Sequence, residues 1–357
     1  MSRQIHGGDI YSYEYITGNT RLIDFSANIN PLGLPEGVKK AVIENMAAFS
    51  NYPDSLCREL IKGIALHENV PESYILCGNG AADIIYRIAE AVRPGTTLVM
   101  APSFSEYEAA VRTAGSNIKY FYLNNGNGFN VGKDILAEVI PGIDLMFLCN
   151  PNNPTGNLTD KKTVLALAQK CKENKTILVV DECFIDFLED TGEFSIVDCI
   201  HDYDNVIVLK AFTKIYAMAG IRLGYAMCSN EDIIRRLEKT GQPWSVSAVA
   251  QLCGTAALKE TEYIHRTKKL IKENRKKLTL ELRALGFEVF DSCANYILFR
   301  TESRALNREL LKYGILIRAC DNFVGLDNSF FRIAVKSKED NEYLLESLKK
   351  LIRDRNY

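Results

Sequence analysis

The 357-residue chain is 47% hydrophobic and 25% charged, enough apolar material for one large α/β unit and a smaller companion. Its net charge of -2, with the densest basic run (268–277) in a polar helical pattern, argues against nucleic acid, and no stretch approaches the roughly 18 apolar residues of a membrane span or the apolar core of a signal peptide. The ten cysteines form neither a zinc knuckle nor a C-x-x-C pair, since none lie closer than Cys171 and Cys183; no metal is expected, and reduced thiols in a cytoplasmic protein fit best.

Residues 1–40 show few regular signals and a cluster of Pro31, Gly33 and Pro35, so an arm joining the smaller domain is expected there. From about 75 to 228, apolar runs alternate with helical patterns, the rhythm of helices wound around a mostly parallel sheet. Strands are predicted over 98–101, 118–123, 144–149, 177–180, 206–209 and 223–228. Helices are predicted over 82–92 and 160–172, the second with Thr159 as its N-cap. Past 240 the rhythm changes to a long helix (262–285), strands at 287–290, 296–299, 315–318 and 331–335, and a closing helix over 338–353. The expected division is an arm (1–40), a large domain (41–240) and a small α+β domain (241–357).

Four segments carry chemistry. Lys214 follows the predicted strand 206–209 and precedes Arg222 by eight residues, placing an amine and a fixed cation at one strand edge. A lysine past a strand is usually only solvated, so its company decides. Asp181 ends the apolar run 176–180 and points to the crevice where open α/β sheets bind ligands; a carboxylate there suits a protonated pyridine ring nitrogen. Asn153 lies in the rigid turn Asn150-Pro151-Asn152-Asn153-Pro154-Thr155-Gly156, with an amide able to hold a phenolate oxygen. Cys77-Gly78-Asn79-Gly80-Ala81-Ala82-Asp83 opens a helix with small residues, which lets backbone N–H groups meet a phosphate. It is not a P-loop, since no Gly-Lys-Ser/Thr follows, and no G-x-G-x-x-G marks a dinucleotide site.

In this order, the four segments resemble fold-type-I pyridoxal-phosphate enzymes of the class I/II aminotransferase group over most of the chain. The resemblance implies an aspartate-aminotransferase-type fold and pyridoxal 5'-phosphate held covalently by Lys214. It implies phosphate contacts from Gly80, Ala81, Thr213 and Arg222, ring contacts from Asn153 and Asp181, and stacking by Tyr107, with Phe104 left to packing. It also implies a homodimer in which Tyr52 reaches the neighbouring subunit's cofactor. Within the group the chain is similar to the histidinol-phosphate aminotransferase branch, and more so to the threonine-phosphate decarboxylases of cobalamin biosynthesis. His6-Gly7-Gly8, the segment Asp24 to Gly33, and the segment Gly314 to Asp327 carry that likeness. Phe184 stands where the aminotransferases usually have a tyrosine. A substrate that is a phosphorylated amino acid is implied, with His6 and Asn30 beside it, Arg318 on the phosphate and Arg332 on the α-carboxylate. The alternatives are amino-group transfer with 2-oxoglutarate and, more remotely, a non-catalytic relative.

Overall fold

The computed structural model describes residues 6–17 and 22–355; the first five residues of the expected arm and residues 18–21 lie outside it. Seven strands form the main sheet in the order Ile75–Gly78, Gly224–Met227, Val206–Ala211, Ile177–Asp181, Leu145–Cys149, Thr96–Ala101, Asn117–Tyr122. Only Gly224–Met227 runs antiparallel to its neighbours. The central strands are buried on both faces because alternate residues enter two separate cores: Leu178 and Val180 join one, Val179 the other, and Val206 and Val208 face away from Ile207 and Leu209.

A second, four-stranded antiparallel sheet has the order Arg318–Ala319, Phe330–Ala334, Tyr296–Arg300, Glu288–Val289. The helices Thr261–Ala284 and Lys338–Arg355 pack together beside it. The arm pairs through Ile23–Asp24 in parallel with Ile315–Leu316, as a separate two-stranded sheet. It is more regular than expected, with helices at Ile10–Thr17 and Glu36–Glu44.

Three local readings are corrected. Asp160, not Thr159, caps the helix Lys161–Glu173, its carboxylate accepting from Thr163 N. The expected strand 315–318 is two short strands in different sheets, separated at Ile317. The helix Ala248–Ala257 packs on Glu36–Glu44 and Arg58–Glu68, with Gly254 so close that a Cβ would lie 2.5 Å from Leu223 Cδ2 and 2.7 Å from Leu60 Cδ1. That helix therefore sits with the large unit, and the smaller unit begins nearer the long helix.

Candidate active site

Parallel strands that all end on one edge bring their following loops together. Asp181 ends Ile177–Asp181, the Asn150–Gly156 turn follows Leu145–Cys149, and Lys214 lies in the one-turn helix Phe212–Ile215 after Val206–Ala211. These loops, the arm and the smaller sheet enclose a cavity of about 360 Å³. Its lining includes His6, Ala81, Asn153, Asp181, Thr213, Lys214, Arg222, Arg318 and Arg332, nine of the residues expected from sequence.

Lys214 is a poor place for a charge. Burial, with Arg332 and Arg222 as neighbouring cations, pushes its amine down to about 8. Four residues earlier Lys210 is held in the opposite state: its Nζ lies 3.0 Å from Glu68 Oε1 and 3.3 Å from Asp186 Oδ1. Burial opposes that charge, but Asp186, Glu68 and Glu182 outweigh it and raise Lys210 above the ordinary lysine range. One lysine is thus locked as a cation while the other is poised to lose its proton.

Asp181 is held rigidly. Tyr107 Oη donates to its Oδ2 at 2.5 Å and Cys183 N to its Oδ1 at 3.0 Å. Asn153 accepts from Arg332 Nη1 through Oδ1, leaving its amide nitrogen as the donor end for a ring oxygen. At the start of the helix Gly80–Val92 the fit is closest: Gly80 has φ +80°, and a Cβ there would lie 2.6 Å from Arg222 Nη2. Arg222 itself has φ +63°, a costly conformation for a side-chain-bearing residue, which brings a guanidinium to the positive end of that helix. Gly224 is needed alongside, since its Cβ would meet Ala81 N at 2.5 Å. A helix N-terminus, a guanidinium and the buried Thr213 hydroxyl form an anion cradle of phosphate chemistry.

The far wall is made by Arg318 and Arg332, which are direct cross-strand partners. Both are 5% exposed, and like charges placed opposite each other destabilise a sheet. Burial, with the like charge of Arg332 nearby, pulls Arg318 down to about 10. Arg332 donates to Asn153 Oδ1 and, at 2.8 Å, to Ser26 O, both neutral acceptors; its Nε is buried without a partner. Arg318 donates to Asn322 Oδ1 at 2.6 Å and lies over the Phe323 ring.

Three expected residues are placed differently. Tyr107 is wholly buried beneath the cavity, stacked on Phe147 at 4.6 Å, so it braces Asp181 and cannot face a ring in the cavity. Phe104, assigned to packing from sequence, lines the cavity instead. Asn30 does not line it either: its Nδ2 donates to Ile215 O and Thr267 Oγ1, both at 2.7 Å, and its Oδ1 accepts from Leu32 N. It holds the Lys214 segment from behind, with Asn30 N also bonding Lys214 O. Two residues earlier, Asn28 lines the cavity with a buried, unpartnered Oδ1. Tyr52 stands outside, 81% exposed and stacked on Trp244 at 4.7 Å. Phe184 lines the cavity edge-on to Tyr296 and brings no hydroxyl.

Residues 20–348 match the family model described as aminotransferase class I and II. The chain belongs to that family. Members use pyridoxal phosphate, and the anion cradle, the poised Lys214 and the oriented Asp181 fit that cofactor end to end. This family member is 37% identical to a threonine-phosphate decarboxylase of Salmonella typhimurium, over 97% of this chain and 96% of that protein. It is 33% identical to the histidinol-phosphate aminotransferase of Clostridium acetobutylicum, with a TM-score of 0.88 over 93% of this chain and 100% of the other. It is 27% identical to the L-threonine-O-3-phosphate decarboxylase of Porphyromonas gingivalis, with a TM-score of 0.82 over 92% and 99% of the two chains. The fold is shared by both activities, so the choice between them rests on side chains.

Proposed function

We propose that this enzyme decarboxylates threonine phosphate to an aminopropanol phosphate for cobalamin biosynthesis, as a cytoplasmic homodimer. The observation that carries the substrate class is the buried Arg318–Arg332 cross-strand pair. Two opposed guanidinium groups in a low-dielectric wall favour a ligand that brings anionic groups into the cavity. A phosphorylated α-amino acid brings two such groups, a carboxylate and a phosphate.

Pyridoxal phosphate, held by Lys214, Asp181, Asn153, Thr213, Arg222 and the backbone of Gly80 and Ala81, supplies an electron sink for the pair left when a bond at the substrate α-carbon breaks. Asp181, fixed by Tyr107 and Cys183, keeps a proton on the ring nitrogen. Arg332 holds the α-carboxylate, and Arg318 and His6 hold the phosphate, so the substrate is gripped at both ends and one bond is set in the reactive orientation. Carbon dioxide leaves from that bond, and Lys214, whose amine near 8 can carry a proton once the substrate amine has displaced it, delivers a proton to the α-carbon in the place of the carboxylate. Phe184 supports decarboxylation over transfer, because the hydroxyl that aminotransferases usually place there is missing. The match to a histidinol-phosphate aminotransferase structure favours transamination as the second reading; the same residues would serve it with the Cα–H bond in the reactive orientation. Ten free cysteines support the cytoplasm, and among the described residues no helix is long and apolar enough to cross a membrane. Exposed Tyr52 and Trp244, with Ile43, Met46 and Leu56 also exposed, support a dimer face.

Replacing Arg318 by Ala tests the phosphate assignment. Threonine phosphate is expected to lose about 2–5 kcal/mol of transition-state binding, while threonine, which never made those bonds, is little affected. The two substrates then converge in kcat/KM. Retained preference for the phosphorylated acid places the phosphate elsewhere.

A further inference from the structure

Glu106 is a second carboxylate on the cavity wall, besides Asp181. It lines the wall with Arg318 and His6, and no step above uses it. Near a phosphate it should repel. Both of its oxygens are occupied, however: His6 Nε2 lies 2.8 Å from Oε1, and Tyr86 Oη donates to Oε2 at 3.1 Å. The His6 hydrogen bond, outweighing burial, keeps Glu106 below the usual carboxylate range.

The two ends of this pair belong to different parts of the fold. Glu106 is in the first turn of the helix Ser105–Thr113 of the large unit. His6 is at the start of the arm, where the backbone folds back on the arm's own Ser26: Gly8 N donates to Ser26 Oγ at 2.7 Å, and Gly7 is so close that a Cβ would lie 2.1 Å from Ser26 O. Ser26 O also accepts from Arg332. The start of the arm is therefore held at two points, by backbone on the arm's own Ser26, which also accepts from Arg332, and by the His6 side chain on Glu106 of the large unit.

We infer that Glu106 is a positioning residue which latches His6 and the arm across the cavity mouth, so that His6 is presented to the substrate phosphate. This rests on the phosphorylated substrate proposed above. Simple electrostatics and the latch predict opposite signs for Glu106→Gln. Removing a nearby negative charge alone tightens binding of a phosphate; loosening His6 weakens it.

The test compares wild type, Glu106→Gln, His6→Ala and the double variant, all as holoenzymes with threonine phosphate. The latch predicts that Glu106→Gln raises KM about tenfold with the loss in KM rather than kcat, and that the same change made on His6→Ala adds nothing further. Hydrogen exchange, read without substrate, should quicken in residues 6–17 of Glu106→Gln and stay unchanged in the sheet. A lowered KM, an equal loss with and without His6, or an arm that exchanges as in wild type overturns the latch. If wild type does not turn over threonine phosphate, the functional reading fails while the exchange result still decides the role of Glu106.

Discussion

Two lysines four residues apart show how environment alone assigns chemistry. Lys214 is pushed down to about 8 by burial and two arginines, whereas Lys210 is clamped between Glu68 and Asp186. A neutral amine is the nucleophile, so cofactor uptake by the apoenzyme should rise with pH through about 8 and level off above it, rather than climbing toward 10.5 as an ordinary lysine would. Borohydride reduction of the holoenzyme and peptide mapping should place the label on Lys214 alone. A label on Lys210, or uptake still rising steeply at pH 10, contradicts the assignment.

At the scale of elements, the strand Ile177–Asp181 is followed directly by a second acid. Glu182 follows Asp181, is 0% exposed, and accepts from Ser195 Oγ at 2.7 Å and Ile196 N at 3.0 Å, tying the 195–196 segment to the sheet edge. Burial, partly offset by Lys210, raises it from 4.5 to about 7. Because the folded-state value lies above the unfolded one, its contribution to stability is whole below about pH 4.5 and lost as pH rises through about 7. The loss is on the order of 3 kcal/mol. Glutamine keeps the shape, accepting from Ile196 N and donating to Ser195 Oγ, so Glu182→Gln should flatten this part of the stability profile. Urea unfolding from pH 4.5 to 8 checks it; parallel profiles for the two proteins mean that Glu182 does not titrate there.

Elements of this kind were largely legible in the sequence, because buried parallel strands are continuous apolar runs and Lys214, Asp181 and Asn153 all follow such runs directly. What escaped depends on which way a side chain turns after its element ends. Phe104 has extended backbone as N-cap of its helix and turns outward to the cavity, while Tyr107, one turn inside, turns down onto Phe147. Asn30 begins a turn, with Gly33 N bonding its carbonyl, and its amide is consumed by Ile215 and Thr267; Asn28, two residues back, is left facing the cavity. Neither choice has a signal in spacing, since both asparagines and both aromatics fit the local pattern equally well. The split of 315–318 is similar: Ile315–Leu316 and Arg318–Ala319 read as one apolar run, but the first meets the arm and the second meets Arg332.

For the whole molecule, the exposed Tyr52 matters most. Its ring rests on Trp244 and otherwise faces solvent, which is unfavourable unless a second copy covers it. If Tyr52 completes the partner's site, a mixture of Tyr52→Ala and Lys214→Ala subunits forms some dimers with one intact site. Random exchange of equal amounts should restore on the order of a quarter of wild-type turnover. No recovery, with mixed dimers verified by tagged subunits, means that each chain is self-sufficient at its cofactor.

The choice of bond broken is the point on which the functional assignment turns, and one measurement addresses it directly. Purified holoenzyme given threonine phosphate, with and without 2-oxoglutarate, is scored for carbon dioxide and for glutamate. Decarboxylation predicts carbon dioxide in step with substrate loss, at a rate indifferent to 2-oxoglutarate, and no glutamate. Glutamate formed in step with substrate loss, without carbon dioxide, contradicts it and makes the enzyme a transaminase.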